Sequence, residues 1–263
     1  MSFHIFQTWK TRSSLPSIFA QSLETWRAHH PAIKHELFDD RFVWDWLRAH
    51  QSKFPQAIHK GRDAIRTVDM FRYCYLFEHG GLYVDLDFFC LRPVDPLLAE
   101  HSGSVVLGSV SMPAEEQEHS IPNAWMYADR PGHPFWLLVI DLASRRTHDD
   151  YIEQATGPIL LRDAVMLYQE ISTGRELSLL GGVSALADRC GAEIPARLPK
   201  LTVLPPDVLY PLSWGYPEHR RIIADFRAAE RIDSALVDRI DKTRNTHAFT
   251  YWYHSWGDDP LDF

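Results

Sequence analysis

The segment from Asp63 to Phe89 restricts the fold more than any other part of the chain. Ala64, Val68, Phe71 and Tyr75 recur at i, i+4, i+7 and i+11, which predicts an amphipathic helix over Asp63–His79. Gly80-Gly81 then stops it, because glycine accepts the left-handed backbone that commonly follows a helix end. Leu82 to Phe89 reads as a strand in which Leu82, Val84, Leu86 and Phe88 take one face, and Tyr83, Asp85, Asp87 and Phe89 the other. A helix that feeds a strand through two glycines is half of an α/β unit. The first face is wholly apolar and is expected to pack into a core; the second carries two carboxylates where the chain leaves the sheet.

The same alternation runs through the rest of the sequence. Phe3, Ile5 and Gln7 alternate with His4, Phe6 and Thr8 as a first strand ending near Gln7-Thr8-Trp9. Pro16 opens a helix that carries Phe19, Leu23 and Trp26 and closes at Pro31. Ile33–Phe38 reads as a second strand and Arg41–His50 as a Trp-rich helix. Further strands are expected at Ser104–Ser109, Asn123–Tyr127, Val203–Leu209 and His247–Tyr253. Further helices are expected at Pro134–Arg145, Arg162–Ile171 and, as a polar helix, around Arg220–Asp241. Strands alternating with helices predict an α/β sheet. No repeat or linker splits the chain, so 1–263 is read as one domain. Its 1–100 half carries the motif just described; 101–263 is the second half with a C-terminal closing segment.

Composition excludes several function classes. A formal net charge of −8, with no long Lys/Arg run, argues against a nucleic-acid partner. Three scattered cysteines (Cys74, Cys90, Cys190) with no C-x-x-C argue against a disulfide framework or structural zinc. The opening shows no signal-peptide pattern, there is no apolar stretch long enough to span a bilayer, and no N-x-[ST] sequon occurs. A cytoplasmic protein is therefore expected, with a peripheral membrane contact left open.

Asp85 and Asp87, alternate on one strand, place their Cα atoms roughly 6–7 Å apart. Two such charges stay ionised together only with water or a cation between them. Mn²⁺ or Mg²⁺, hard ions that prefer oxygen ligands, suit the pair and can bridge a diphosphate. Asp69 and Arg72, i and i+3 on the preceding helix, share a face. The carboxylate can accept from sugar or ribose hydroxyls, and the guanidinium can donate to a hydroxyl or phosphate. A solvated strand end and an ordinary surface ion pair are the plain alternatives, weakened by the adjacency of the two pairs. Asn123 is placed either at the reaction centre on the acceptor side or as a turn residue at a strand start. Trp252 and Trp256 either cover sugar and phosphate or belong to an aromatic core.

Asp69-Met70-Phe71-Arg72 followed by Gly80-Gly81-Leu82-Tyr83-Val84-Asp85-Leu86-Asp87 resembles the core signature of glycosyltransferase family 32. His4-Ile5-Phe6-Gln7-Thr8-Trp9-Lys10, Gly132-His133-Pro134, Thr156-Gly157-Pro158 and Ser255-Trp256 resemble its flanking elements. The resemblance implies a GT-A fold, with a Rossmann-like mixed central sheet flanked by helices. It implies a retaining, metal-dependent transfer of a hexose from a GDP- or UDP-sugar donor to a glycan, lipid-linked or protein acceptor. Asp87 would ligate Mn²⁺ or Mg²⁺, and Asp85 the ribose or the metal. Asp69 and Arg72 would contact the donor sugar, and Gln7, Thr8 and Trp9 would lie by the nucleotide. Thr8 or Trp9 would line the base pocket, although Trp9 also reads as core packing. Gly81, Tyr83 and Trp256 join the donor-binding set. One departure stands out: Thr250-Tyr251 occupy places where the family carries a histidine before its terminal S-W. His254 is the candidate replacement ligand, or a structural histidine. Two other readings remain: a catalytically silent nucleotide-sugar or partner binder, and a metal-dependent nucleotidyl transferase or phosphohydrolase. The second lacks both G-x-x-x-x-G-K-[ST] and G-x-G-x-x-G.

Overall fold

The computed structural model describes residues 3–55, 57, 64–146, 151–175, 180–229, 234–241 and 244–253. Its centre is a six-stranded mixed sheet. In spatial order the strands are β2 (Lys34–Asp39), β1 (His4–Trp9), β3 (Gly81–Val84), β6 (Trp125–Ala128), β5 (Val105–Gly108) and β7 (Leu201–Leu204). β1 pairs in parallel with both β2 and β3, β5 pairs in parallel with β7, and β6 runs antiparallel to both its neighbours. A second, two-stranded sheet joins β4 (Phe88–Cys90) to β8 (Ala248–Thr250).

Both faces of the main sheet are buried. On one side Phe6, Tyr83, Val105 and Met126 pack against the helices α2 (Asp40–Ala49), α3 (Ala64–His79), α5 (Pro134–Arg145), α7 (Pro158–Ser172) and α8 (Leu180–Cys190). On the other, Ile5, Leu82, Val84, Val106 and Trp125 pack against the helices α1 (Ser17–His29) and α10 (Pro217–Ala228) and the small sheet. The short helices α4 (Asp95–Ala99), α6 (Ile152–Ala155), α9 (Pro206–Leu209) and α11 (Ser234–Asp238) fill connections. The expected Rossmann-like mixed sheet flanked by helices is the one observed.

Four local expectations are corrected. The strand drawn from Leu82 to Phe89 ends at Val84. Asp85-Leu86-Asp87 form a turn, closed by the Phe88 N–H donating to the Asp85 carbonyl at 3.2 Å, and Phe88 enters the other sheet. The face opposite Leu82 and Val84 is not open, since Tyr83 is fully buried in the other core. α3 shows no single apolar stripe: it is buried around most of its girth from Arg66 to Phe77, while Ala64 is exposed and Val68 half-buried, because α2 and α5 cover it as well as the sheet. The strand expected over Val203–Leu209 breaks at Pro205-Pro206, where a ladder N–H is missing and a short helix starts instead. The polar helix expected around Arg220–Asp241 is observed as α10 and α11, with the residues between them outside those described.

Gly80 and Gly81 do carry the left-handed backbone expected, with φ of +65° and +91°. A β-carbon on Gly81 would also stand 2.7 Å from the His4 ring and 2.8 Å from the His4 carbonyl. This junction reverses the chain, so the N-terminal half of α3 lies over the C-terminal end of β3.

Candidate active site

β1, β2 and β3 end on the same edge of the sheet, and β6, being antiparallel, begins there. A cleft of about 360 Å³ opens at that edge. Its walls come from Thr8, Trp9 and Lys10 after β1, Asp40 after β2, Asp85–Asp87 after β3, and Pro122–Ala124 before β6. Ala64, Ile65, Val68, Asp69 and Arg72 of α3 close one side. Ile152, Glu153, Gly157 and Pro158 add another, and Thr250, Trp252 and Tyr253 form the floor near the C-terminus. Ligands in open α/β sheets bind at this edge because the strand order reverses there and leaves a crevice.

Arg72 connects the two acidic pairs. Its guanidinium lies 3.4 Å from Asp69 Oδ1 and 3.3 Å from Asp85 Oδ1, donates to the Asn123 carbonyl at 3.3 Å, and rests 4.5 Å over the Tyr83 ring. Burial alone would lower its pKa; Asp85, then the Tyr83 oxygen and Asp69, more than reverse that, so it stays a cation. Tyr83 donates its hydroxyl to Asp85 Oδ1 and shares a 3.2 Å hydrogen bond with Thr8.

Asp69 is buried and engaged on both oxygens: Asn123 Nδ2 donates to Oδ1 at 3.0 Å, and Thr156 Oγ1 donates to Oδ2 at 3.0 Å. Asn123 also donates to the Tyr73 hydroxyl at 3.2 Å, and Tyr73 in turn donates to the Thr156 carbonyl at 2.7 Å. Burial pushes the Asp69 carboxyl up to about 6, against the opposing pull of Arg72 and the two hydrogen bonds.

Asp87 Oδ2 accepts from the Thr250 hydroxyl at 2.9 Å and from the Tyr253 N–H at 2.8 Å. Among the described residues its Oδ1 is buried with no hydrogen-bond partner. Burial, with the Asp85 charge added, raises the Asp87 carboxyl to about 7. An orphaned carboxylate oxygen beside a second carboxylate suits a hard divalent cation, which supplies the missing partner and relieves the repulsion. Among the described residues no group of three or more His, Cys, Asp or Glu side chains gathers, so those residues offer the pair. That suits an ion which completes its shell with water and phosphate oxygens.

Of the residues singled out from sequence, Thr8, Trp9, Asp69, Arg72, Asp85, Asp87 and Asn123 line the cleft together. The two acids converge through a turn, not as alternate residues of a strand. Gln7, Tyr83 and Gly81 do not line it. Gln7 is buried beneath, donating its amide to the Asp85 carbonyl at 3.4 Å; Tyr83 braces Asp85; Gly81 sits at the far end of β3 against His4. His254 and Trp256 lie outside the described residues. Trp252 lines the cleft with φ at +54°. Its indole donates to the Leu212 carbonyl at 3.0 Å and stacks on Tyr210, so it has core and cleft roles at once. Thr250, where the family resemblance leads one to expect histidine, holds Asp87 through its hydroxyl. Sequence reading missed Thr250 and Tyr253 as supports of Asp87, and Tyr73 and Thr156 as supports of Asp69. Only Thr156, in the T-G-P element, gave a signal.

Residues 16–103 match the family model for the glycosyltransferase sugar-binding region containing the DXD motif. The inositol phosphoceramide mannosyltransferase 1 of Schizosaccharomyces pombe is 28% identical over 165 residues, covering 60% of this chain and 49% of that protein. The initiation-specific alpha-1,6-mannosyltransferase of Candida albicans is 33% identical over 98 residues, covering 35% of this chain and 26% of that protein. The chain thus spans half or less of the length of these curated relatives. Among solved structures, the PaToxG glycosyltransferase aligns over 94% of this chain and 88% of that one at 15% identity, with a TM-score of 0.47. Residues 16–103 thus match a DXD-type glycosyltransferase region, and the chain is similar to mannosyltransferases of that kind over part of its length.

Proposed function

We propose that the chain is a metal-dependent, retaining glycosyltransferase that moves a hexose from a nucleoside-diphosphate sugar to a hydroxyl of a glycan, lipid-linked or protein acceptor. The observation that carries this reading is the meeting of Asp85 and Asp87 with the Asp69–Arg72 pair in one cleft, with the orphaned Asp87 Oδ1 among them. The names of the relatives make mannose the first sugar to test, and so GDP-mannose the first donor.

Asp85 and Asp87 would hold Mn²⁺ or Mg²⁺, which neutralises charge developing on a departing diphosphate. Arg72, held rigid between two carboxylates, is suited to donate to that phosphate or to a donor hydroxyl. Asp69 is a poor nucleophile here, because Asn123, Thr156 and Arg72 all engage it. It is better suited to accept from donor-sugar hydroxyls. Transfer would then proceed by the acceptor oxygen attacking the anomeric carbon on the face the phosphate leaves. The sugar–phosphate C–O bond breaks as the new bond forms, and the acceptor proton passes to the departing phosphate oxygen.

The test is donor binding and turnover with and without Mn²⁺. Asp85→Ala with Asp87→Ala is expected to abolish Mn²⁺-dependent donor binding in a protein that still unfolds cooperatively. Normal binding and turnover by that double variant would refute the assignment. Metal-dependent donor binding with no transfer and no donor hydrolysis would instead favour a silent nucleotide-sugar binder.

A further inference from the structure

Glu153 lies on α6, one helical turn (about 5 Å) before Thr156. Thr156 donates to Asp69 Oδ2 at 3.0 Å, and its carbonyl accepts from the Tyr73 hydroxyl at 2.7 Å. The end of α6 is thus tied to the carboxylate assigned to the donor sugar. Gly157 holds the helix from the other side. A β-carbon there would stand 2.8 Å from Glu153 Cα, so the chain entering α7 presses directly on the Glu153 backbone. The Glu153 side chain lines the cleft, half-buried, and among the described residues its carboxylate accepts no hydrogen bond and forms no ion pair. A half-buried carboxylate without a donor is a cost that a ligand can remove.

The strand order limits what Glu153 can meet. It runs β2-β1-β3-β6, and Asp85 and Asp87 follow β3. With the nucleotide on the β1 side and the diphosphate at β3, the opposite side of the cleft belongs to Pro122 and Asn123 before β6, and to Ile152, Glu153 and Pro158. Asn123 and Thr156 both hold Asp69, so this side adjoins the donor sugar. It is the space left for the molecule that receives the sugar, and it presents apolar side chains around one free carboxylate. A carboxylate only accepts, and it can take two parallel hydrogen bonds. Two neighbouring hydroxyls of a sugar ring match that fork, and the C–H face of the ring suits Pro122, Ile152 and Pro158. A serine or threonine side chain offers a single hydroxyl, and a phosphate would be repelled by the like charge.

We propose that Glu153 selects the acceptor: it accepts hydrogen bonds from two adjacent hydroxyls of a sugar ring, so the hexose passes to a glycan end and not to a protein side chain. This rests on the transferase reading above and narrows the acceptor class which that reading leaves open. The test uses the full chain in Mn²⁺ with whichever of GDP-mannose and UDP-glucose it hydrolyses. The acceptors are the methyl glycosides of mannose, glucose and galactose, their monodeoxy analogues, and a serine- and threonine-containing peptide. Wild type should glycosylate at least one methyl glycoside and not the peptide. Glu153→Gln should raise the acceptor KM on the order of 10-fold or more, while nucleotide-sugar affinity by isothermal titration changes by less than about 2-fold. Removing either of the two hydroxyls should cost wild type about 10-fold in kcat/KM and Glu153→Gln less than about 3-fold, because the variant has already lost that interaction. Gly157 packs on the Glu153 backbone and not on its side chain, so the variant keeps the fold. Glu153→Asp, which keeps both oxygens, should restore part of the acceptor binding. Transfer to the peptide and to no ring, an acceptor KM unaltered by the substitution, or an equal loss of donor and acceptor binding would overturn the Glu153 assignment alone. A wild type that neither hydrolyses a nucleotide sugar nor glycosylates any acceptor would overturn the transferase reading beneath it.

Discussion

Asp69→Asn should make the protein more stable at neutral pH while weakening its grip on the donor. Burial holds the Asp69 carboxyl at about 6, against an ordinary 3.8. A folded-state pKa raised above the unfolded one means that the native state prefers the protonated acid. The associated stability is full below about pH 4 and is lost as pH rises through 6. Above pH 7 the ionised group costs about 3 kcal/mol, at about 1.4 kcal/mol per pH unit of difference. Asparagine removes that charge. It can still accept from Asn123 and direct its amide at the Thr156 hydroxyl, which now donates to the Ile152 carbonyl 3.5 Å away. Imperfect re-pairing takes back about 1 kcal/mol. The net gain at pH 7.5 is about 2 kcal/mol, or roughly 4–8 °C in Tm for a chain of this size. At pH 4.5 most Asp69 is protonated in the wild type, and the advantage should shrink by about 2 kcal/mol. Urea unfolding in EDTA at both pH values measures this, and titration with donor and Mn²⁺ measures the functional loss. A variant less stable than wild type at pH 7.5, or a difference that does not change with pH, would refute the reasoning.

Thr250→Val removes one of the two donors to Asp87 Oδ2 and the acceptor of the buried Trp252 N–H. Mn²⁺ affinity should drop on the order of 10-fold, as for other groups that orient a metal ligand, and stability in EDTA should fall by about 1–3 kcal/mol, read as a lower urea midpoint. Gly81→Ala meets both an unfavourable φ and the His4 ring and carbonyl, and should cost at least about 2 kcal/mol, read as a lower urea midpoint. Arg72→Lys keeps the charge but cannot reach Asp69, Asp85 and the Asn123 carbonyl together. It should lower kcat/KM by about 10-fold or more, and unchanged kinetics would remove Arg72 from the machinery.

The elements that were legible in the sequence are those with an unbroken local signal. α5, expected over Pro134–Arg145, is observed over those residues, because Pro134 opens it and a long apolar run sustains it. β1 and β2 lie within a residue or two of their expected limits. The α3–glycine–β3 junction is as expected, since φ at Gly80 and Gly81 is a local property of the chain. Val203–Leu209 misled because the apolar residues Val208 and Leu209 continue past the point where two prolines withdraw their N–H groups. α8 carries Gly181-Gly182 in its first turn, poor helix formers that hide it in the sequence, and close packing of Gly182 on Asp141 and Arg145 of α5 holds it.

In the site, sequence alone determined the acids, the arginine at i+3 from Asp69 and the glycine turn that folds helix back over strand. These are matters of spacing and backbone freedom, settled within about twenty residues of chain. Tertiary structure decided which partners each acid has. Thr250 and Tyr253 reach Asp87 from 163 and 166 residues away, Thr156 reaches Asp69 from 87, and Asp40 enters the same cleft because β2 is hydrogen-bonded beside β1. A carboxylate's charge state and its unfilled oxygens depend on burial and on such distant donors, and no periodicity in a sequence encodes a neighbour that only the closing of the sheet brings near.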